Sequence, residues 1–480
     1  MTDFVGRETE LTVLGTRLRR VRESGAGIAV AIRGRRQVGK SRLVQEFCDR
    51  AGAPYLYFAA TKGASPVEAL ASFMLELRES SLLTDPAVVP EQAATWVDAF
   101  RVLAATLPDT PAVVVIDELP WLAEQDTLFD GALQTGWDRL LSRRPVLLLL
   151  LGSDLHMMER LTAYDRPFFG RADNLPLGPL NPAEIAAATG LDAADALDAH
   201  LIMGGLPGIL RSWPRGMAPM EFLRRECADP AAPVFSVPES ALLEEFPAPD
   251  QSRRVLEAVG GGDRTHANIA ATAGGRAGPL ASGSLSPILR RLSADKRVLA
   301  VDEPLSTRPG KPALYRVADS NLRLYLAVLR AAQEQSRRGR PEAAFRLVER
   351  RWPTWRGRAV EPLIREALEL AAVAGRLAWP DVETVGGWWN RQFDPEVDLV
   401  GADRGPVANR LDFVGSVKWL AGPFDDHDLA TLKKAAVQVP GYEPGTTGLV
   451  VVSRAGTTPD MNSTGVDLMW GPDEVLASWS

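Results

Sequence analysis

The segment Gly34-Arg35-Arg36-Gln37-Val38-Gly39-Lys40-Ser41 constrains this chain more than any other. It follows the apolar run Ile28–Arg33 and opens a helical pattern that continues from Ser41 into Phe47. Glycines at the first and sixth positions let a loop wrap its backbone N–H groups around phosphates, and the helix behind them adds a favourable dipole. Lys40 would neutralise β- and γ-phosphates, and the Ser41 hydroxyl would ligate Mg²⁺. Gln37, Val38 and Arg42 lie in or beside the loop and join Gly34, Gly39, Lys40 and Ser41 as nucleotide-binding candidates. From Phe4 to about Leu210, short β-branched or Leu-rich runs alternate with amphipathic stretches, as in a parallel sheet covered by helices.

Five strands are expected, at Ile28–Arg33, Tyr55–Ala60, Ala112–Ile116, Val146–Leu151 and Asn174–Leu177. The third ends in Asp117-Glu118, an apolar strand running into two carboxylates, which resembles a Walker B element. There Asp117 would hold Mg²⁺ through water and Glu118 would orient or deprotonate the attacking water. The alternative, a chance turn and a surface acidic pair, fits less well with two motifs in this order. Ser153, after Gly152, is either a strand-ending turn residue or a sensor of the γ-phosphate. Arg171, in Pro167-Phe168-Phe169-Gly170-Arg171, is either a solvated arginine or a stabiliser of transition-state charge, in the same subunit or across an interface.

With 480 residues, 46% of them hydrophobic and 24% charged, the chain is expected to form several globular domains. Leu- and Ala-rich segments up to about Phe246 suggest a helical lid. Helices at Ser252–Val259, Ala267–Ala273 and Leu285–Ser293, then strands at Val298–Val301 and Ala313–Val317, give the order of a winged helix-turn-helix. Arg290 and Arg291 would lie on its recognition helix. Between Arg337 and Arg358 stand eight arginines, read as a basic connector, and a last unit carries strands at Val397–Val400, Asp412–Val417 and Gly448–Ser453. The expected boundaries are 1–180, 181–248, 249–328, 329–350 and 351–480.

A net charge of −7 gives no global attraction to nucleic acid, so contact with DNA would need a local basic surface such as the arginine strip. Cys48 and Cys227 form no CxxC pair, and His156, His200, His266 and His427 lack ligand spacing, so neither a disulfide framework nor a zinc site is expected. The start of the chain shows no secretory pattern and its longest apolar run, Val146–Leu151, falls far short of the ~20 residues of a membrane helix. The expected location is the cytoplasm.

The two nucleotide motifs, with Phe4-Val5-Gly6-Arg7-Glu8 before them and Met203-Gly204-Gly205-Leu206-Pro207 after, resemble the archaeal-type ATPase family of AAA-like, signal-transducing (STAND) P-loop ATPases. The resemblance implies that Arg7 lies near the nucleotide base and that the Gly-Gly-Leu-Pro element belongs to the helical lid; an N-terminal charge pair of Arg7 with Glu8 is the alternative. Many members carry a winged helix and a domain similar to PD-(D/E)XK nucleases. That pattern implies a helix-borne Glu361, Asp398 on a strand, and an acidic-x-Lys on the next, here Ser416-Val417-Lys418. Serine is a weak neutral ligand for a hard cation. Asp412 is ~13 Å along the strand, too far to replace it, whereas Glu396 is closer to Asp398.

The sequence therefore predicts an α/β multidomain protein that binds ATP and Mg²⁺ and hydrolyses ATP. It would act as a nucleotide-dependent switch on DNA or a protein partner, with a degenerate nuclease fold. The alternatives are an ATP-regulated Mg²⁺-dependent endonuclease using Glu361, Asp398 and Lys418, and a protein-binding scaffold without nucleic-acid contact. No membrane partner is expected, and an oligomer is compatible with the motifs.

Overall fold

Apolar runs with no polar face become strands buried on both sides, and five of them build the first unit, residues 1–180, of this computed structural model. They are β1 (Ile28–Arg33), β2 (Tyr55–Ala59), β3 (Ala112–Asp117), β4 (Val146–Gly152) and β5 (Ala172–Pro176), in one parallel sheet of order β2-β3-β4-β1-β5. Every residue of β3 and β4 is buried. The edge strand β5 is mostly exposed, so its sequence signal is weak, and it starts two residues before the expected Asn174. Because β4 lies between β1 and β3, the carboxyl ends of all three strands share one edge, where open parallel sheets form their crevices. The structure describes residues 4–153, 157–159, 164, 166, 168–246, 248, 250–310, 312–461 and 464–480; His156 and Pro167 lie outside them.

The second unit, residues 181–480, begins with helices Pro182–Thr189, Ala193–Met203, Pro207–Leu210, Pro219–Glu226 and Pro233–Glu245. Three further helices follow, Gln251–Gly261, His266–Gly274 and Ser282–Arg290, then an antiparallel ribbon of β6 (Leu299–Asp302) and β7 (Leu314–Val317). Side chains of Asp250 and Thr265 cap the first two by accepting from the N–H groups of Arg253 and Asn268. This is the order expected from the sequence.

The arginine-rich stretch is not a linker. Helices Arg330–Arg337 and Pro341–Ala359 pack on each other, because Ala344, Phe345, Val348 and Trp352 form a buried stripe beneath the arginines. Counting charge alone concealed that stripe.

Helix Glu361–Val373 then leads into β8 (Thr384–Trp389), β9 (Glu396–Ala402) and β10 (Leu411–Lys418), which are antiparallel. Helix Asp426–Ala436 follows, with β11 (Gly448–Ser453) and β12 (Leu468–Trp470) parallel to β10. β8 was not expected, because Gly386-Gly387 weakens its strand signal. Both glycines admit close neighbours: a Cβ at Gly386 would meet Leu305 at 3.1 Å, and one at Gly387 would meet Arg365 at 2.6 Å.

Two buried polar joints tie this unit together. Asp198 of helix Ala193–Met203, 2% exposed, accepts from Arg356 at 2.8 Å and from the Trp419 indole at 3.0 Å, and Arg454 lies 3.2 Å away. Asn321 donates to the Ile202 carbonyl at 2.8 Å, and its Cβ leaves only 3.0 Å for a Cβ at Gly204, which also has φ +62°.

Candidate functional site

The loop after β1 turns through two left-handed residues, Gln37 at φ 65° and Gly39 at φ 93°, before helix Lys40–Ala51 begins. Glycine at 34 meets a second demand, since a Cβ there would lie 2.3 Å from the Leu177 carbonyl oxygen. Gln37 is exposed and Val38 buried, so the loop is anchored on one side and open on the other. Lys40 is 6% exposed and donates to the carbonyls of Gly34 at 2.9 Å and Arg35 at 3.1 Å. Burial holds its ammonium below the usual lysine range, opposed by the nearby Glu118 and Asp117 carboxylates. An entering phosphate would offer that ammonium a charged acceptor in place of two neutral carbonyls.

Asp117 ends β3 beside the loop, and its Oδ1 accepts from the Glu118 N–H at 2.8 Å. Its Oδ2 accepts from the Tyr57 hydroxyl at 2.7 Å, and the Ser41 side chain lies near the same tyrosine oxygen. The tyrosine therefore stands beside both residues expected at Mg²⁺. Burial and the adjacent Asp117 push its hydroxyl pKa up, which keeps it a donor. Sequence reasoning missed Tyr57, whose alternation along β2 with Phe58 reads only as a buried strand. Ser41 is exposed at the helix start and Asp117 is 4% exposed, a hydroxyl and a carboxylate suited to a hard cation.

Glu118 takes a left-handed conformation, φ 53°, at the start of helix Leu119–Gln125, and its Oε2 accepts from Ser153 at 2.9 Å. Ser153, from the end of β4, thus orients Glu118. Trp121, one turn on, lies within 5.7 Å of the Arg36 guanidinium and 4.8 Å of the Lys62 ammonium, gathering cations at the same edge.

Arg7 also reaches the loop, but from beneath. At φ 67° and 4% exposed, it donates to the carbonyls of Val38 at 3.0 Å and Gly178 at 2.6 Å and pairs with Glu10, not Glu8, at 3.1 Å. It braces the loop backbone. Arg42 turns along its own helix to Glu46 at 2.8 Å and to the Phe4 ring. Arg171 is not brought to the loop: it precedes β5 at the amino end of the sheet, opposite the loop edge, and makes a two-pronged ion pair with Asp138, both contacts at 2.7 Å. A role for Arg171 at this subunit's own phosphates does not fit that position.

In the second unit, β9 and β10 set Asp398 beside Ser416, and the serine hydroxyl donates to Asp398 Oδ2 at 3.0 Å with the Val417 N–H at 2.8 Å. Arg365 bridges Glu361 at 3.3 Å and the Asp398 carbonyl at 2.8 Å. Lys418 is drawn away into an ion pair with Asp428, and Glu396 pairs with Arg264 at 3.5 Å. Asp412 pairs with Arg410 at 2.9 Å. Among the described residues no group of three or more His, Cys, Asp or Glu could hold a metal.

Burial, reinforced by Asp398, pushes the Glu361 carboxyl up to about 7. A raised acid favours folding only at low pH, and that contribution is lost as pH rises through about 7. Glu361→Gln is therefore expected to stabilise the chain by ~1–3 kcal/mol at pH 8 and to change little near pH 5, read by denaturant melts at the two pH values. Equal effects at both would contradict this.

Residues 3–149 match the family model described as the AAA ATPase domain. No curated protein matches the chain. Among solved structures it is similar to a Walker-type ATPase of Pyrococcus abyssi, at 17% identity over 68% of this chain and 96% of that one, TM-score 0.48. The ORC2 protein of Aeropyrum pernix, in ADPNP–ADP complexes, gives 14% identity over 70% and 96%, TM-score 0.43. A STAND protein with a tetratricopeptide repeat sensor from Pyrococcus horikoshii gives 13% over 78% and 52%, TM-score 0.30. Among the described residues no helix is long and apolar enough to cross a membrane.

Proposed function

We propose that this chain is an ATP-hydrolysing switch whose second unit acts on DNA through a winged helix and a nuclease fold that has lost its chemistry. The observation that carries the ATPase reading is the convergence of Lys40, Ser41, Asp117, Glu118 and Ser153 on one edge of the parallel sheet, with Tyr57 hydrogen-bonded to Asp117. Lys40 and the loop N–H groups bind the β- and γ-phosphates, while Ser41 and Asp117 hold Mg²⁺, which neutralises phosphate charge. Glu118, aimed by Ser153, takes the proton of the attacking water. Arg7 keeps the loop in register from below.

Loss of the Tyr57 hydroxyl removes a hydrogen bond of about 1.5–3 kcal/mol to a charged ligand residue, so Tyr57→Phe should weaken Mg²⁺-ATP binding by about tenfold or more and leave Mg²⁺-free binding unchanged. Titration calorimetry with and without EDTA reads both.

Three helices followed by a two-stranded ribbon support the winged-helix reading, with Arg290 and Arg291 exposed beside buried Leu289 and Leu292. Loss of nuclease chemistry is supported by Ser416, which spends its hydroxyl on Asp398, and by Lys418, which is held by Asp428. The test is plasmid nicking and DNA mobility shift by the full chain with Mg²⁺ or Mn²⁺, with and without ATP. The reading expects a salt-sensitive shift without cutting; cutting that Asp398→Ala abolishes would replace it with the endonuclease. No shift at any salt would leave a protein-binding ATPase.

A further inference from the structure

Apart from the loop edge, a concentration of unmatched positive charge lies in the second unit. A cavity of about 420 Å³, within the size range of small-molecule sites, opens among the ribbon, the arginine-rich helix, helix Glu361–Val373 and the start of β9. Seven guanidiniums line it against four carboxylates. Three of them are matched: Arg264 to Glu396 at 3.5 Å, Arg316 to Asp302 at 3.0 Å and Arg365 to Glu361 at 3.3 Å. The fourth carboxylate, Asp398, is occupied by Ser416 and Val417.

Arg323, Arg350, Arg351 and Arg358 have no carboxylate partner among the described residues. Arg323 and Arg351 make do with neutral carbonyls, those of Arg358 at 3.5 Å and Ala327 at 2.9 Å. Burial, then the neighbouring Arg316, lowers the Arg323 guanidinium to about 10, opposed by the Glu361 and Asp302 carboxylates. Planar guanidinium forks match phosphate oxygens, and an excess of three positive charges suits a group carrying two or three negative charges better than an internal phosphodiester with one. Tyr315, Trp355 and Trp389 supply aromatic surface in the same wall, and the buried Trp355 indole N–H has no acceptor. An aromatic wall next to a phosphate site is what a nucleobase stacks on.

We propose that this cavity binds a nucleotide by its unesterified terminal phosphate or diphosphate, separately from the loop after β1. The nucleotide is either free or the 5′-phosphorylated end of a strand. This goes beyond the ATPase reading and survives its failure, because the two sites share no residue.

The test uses the full-length Lys40→Ala chain, which disables the first site, titrated calorimetrically with UDP and with tetrathymidylate bearing or lacking a 5′-phosphate. Saturable binding of UDP or of the 5′-phosphorylated strand is expected. It should weaken at least tenfold when Arg350→Gln and Arg358→Gln, both at exposed positions, are added and the melting temperature is unchanged. The tighter of the two probes identifies the source. Absence of saturable binding by either, equal binding of strands with and without the 5′-phosphate when UDP does not bind, or affinity unmoved by the two arginine changes would overturn the proposal.

Discussion

Glu118→Gln is expected to slow ATP hydrolysis by about two to four orders of magnitude while leaving ATP affinity within about threefold. The amide keeps the length of the side chain and can still accept from the Ser153 hydroxyl, which lies 2.9 Å from Glu118 Oε2. What it loses is the ability to take a proton. In the proposed mechanism Asp117 remains beside it as the Mg²⁺ ligand, so binding and chemistry would separate at adjacent residues. Single-turnover phosphate release beside equilibrium ATP binding reads the split. A parallel loss of both would mean that Glu118 is a binding group, and an unchanged rate would remove it from the chemistry.

The second large effect is expected at Asp198. Its carboxylate, 2% exposed, takes Arg356 at 2.8 Å, Trp419 at 3.0 Å and Arg454 at 3.2 Å, joining three separate stretches of the second unit to one helix. Removing the carboxylate of a buried ion pair leaves Arg356 charged and unpaired and the Trp419 N–H without its acceptor, which costs about 3–5 kcal/mol. Asp198→Ala should therefore destabilise the chain by about that amount, in a denaturant melt followed by tryptophan fluorescence. Asp198→Asn, which keeps an acceptor of the same shape, should lose less. A change below about 1 kcal/mol for Asp198→Ala would show that Asp195, 2.9 Å from Arg454, takes over the cations.

Helix Ala193–Met203 leads directly into Gly204-Gly205, where Asn321 packs on the chain, so one helix is tied both to the segment after the ribbon and, through Asp198 and Trp419, to the C-terminal sheet.

The sequence was most informative where period and spacing coincide with a strict physical requirement. Strands β1, β3 and β4 lack any polar residue over most of their length, and the Gly34–Ser41 spacing admits few backbones, so the sheet and both motifs could be read directly. Residues that act by reaching across the fold left no such trace. Tyr57 looks like any strand aromatic until β2 and β3 are paired, and Arg7 is an ordinary helix-start arginine until its backbone turns left-handed at φ 67°. Arg171 illustrates the reverse, because proximity to a strand says nothing about which end of it the residue occupies. The arginine strip was legible as charge but not as architecture: its buried apolar stripe makes it a packed helix with three arginines, Arg350, Arg351 and Arg358, turned to a cavity. Likewise, the serine at 416 was visible as a departure, whereas its bond to Asp398 required the register of β9 and β10.

The central claim is that the loop after β1 is an ATP site working with Asp117 and Glu118. Its most direct test is calorimetric titration of the full chain with ATP and Mg²⁺, beside Lys40→Ala, with phosphate release followed in the same samples. The account predicts Mg²⁺-dependent ATP binding and slow release of phosphate by the unaltered protein, and loss of that binding by at least a hundredfold in Lys40→Ala, any Mg²⁺-independent binding at the second-unit cavity being common to both proteins. Equal Mg²⁺-dependent ATP binding by the two proteins, or none by either, would contradict it.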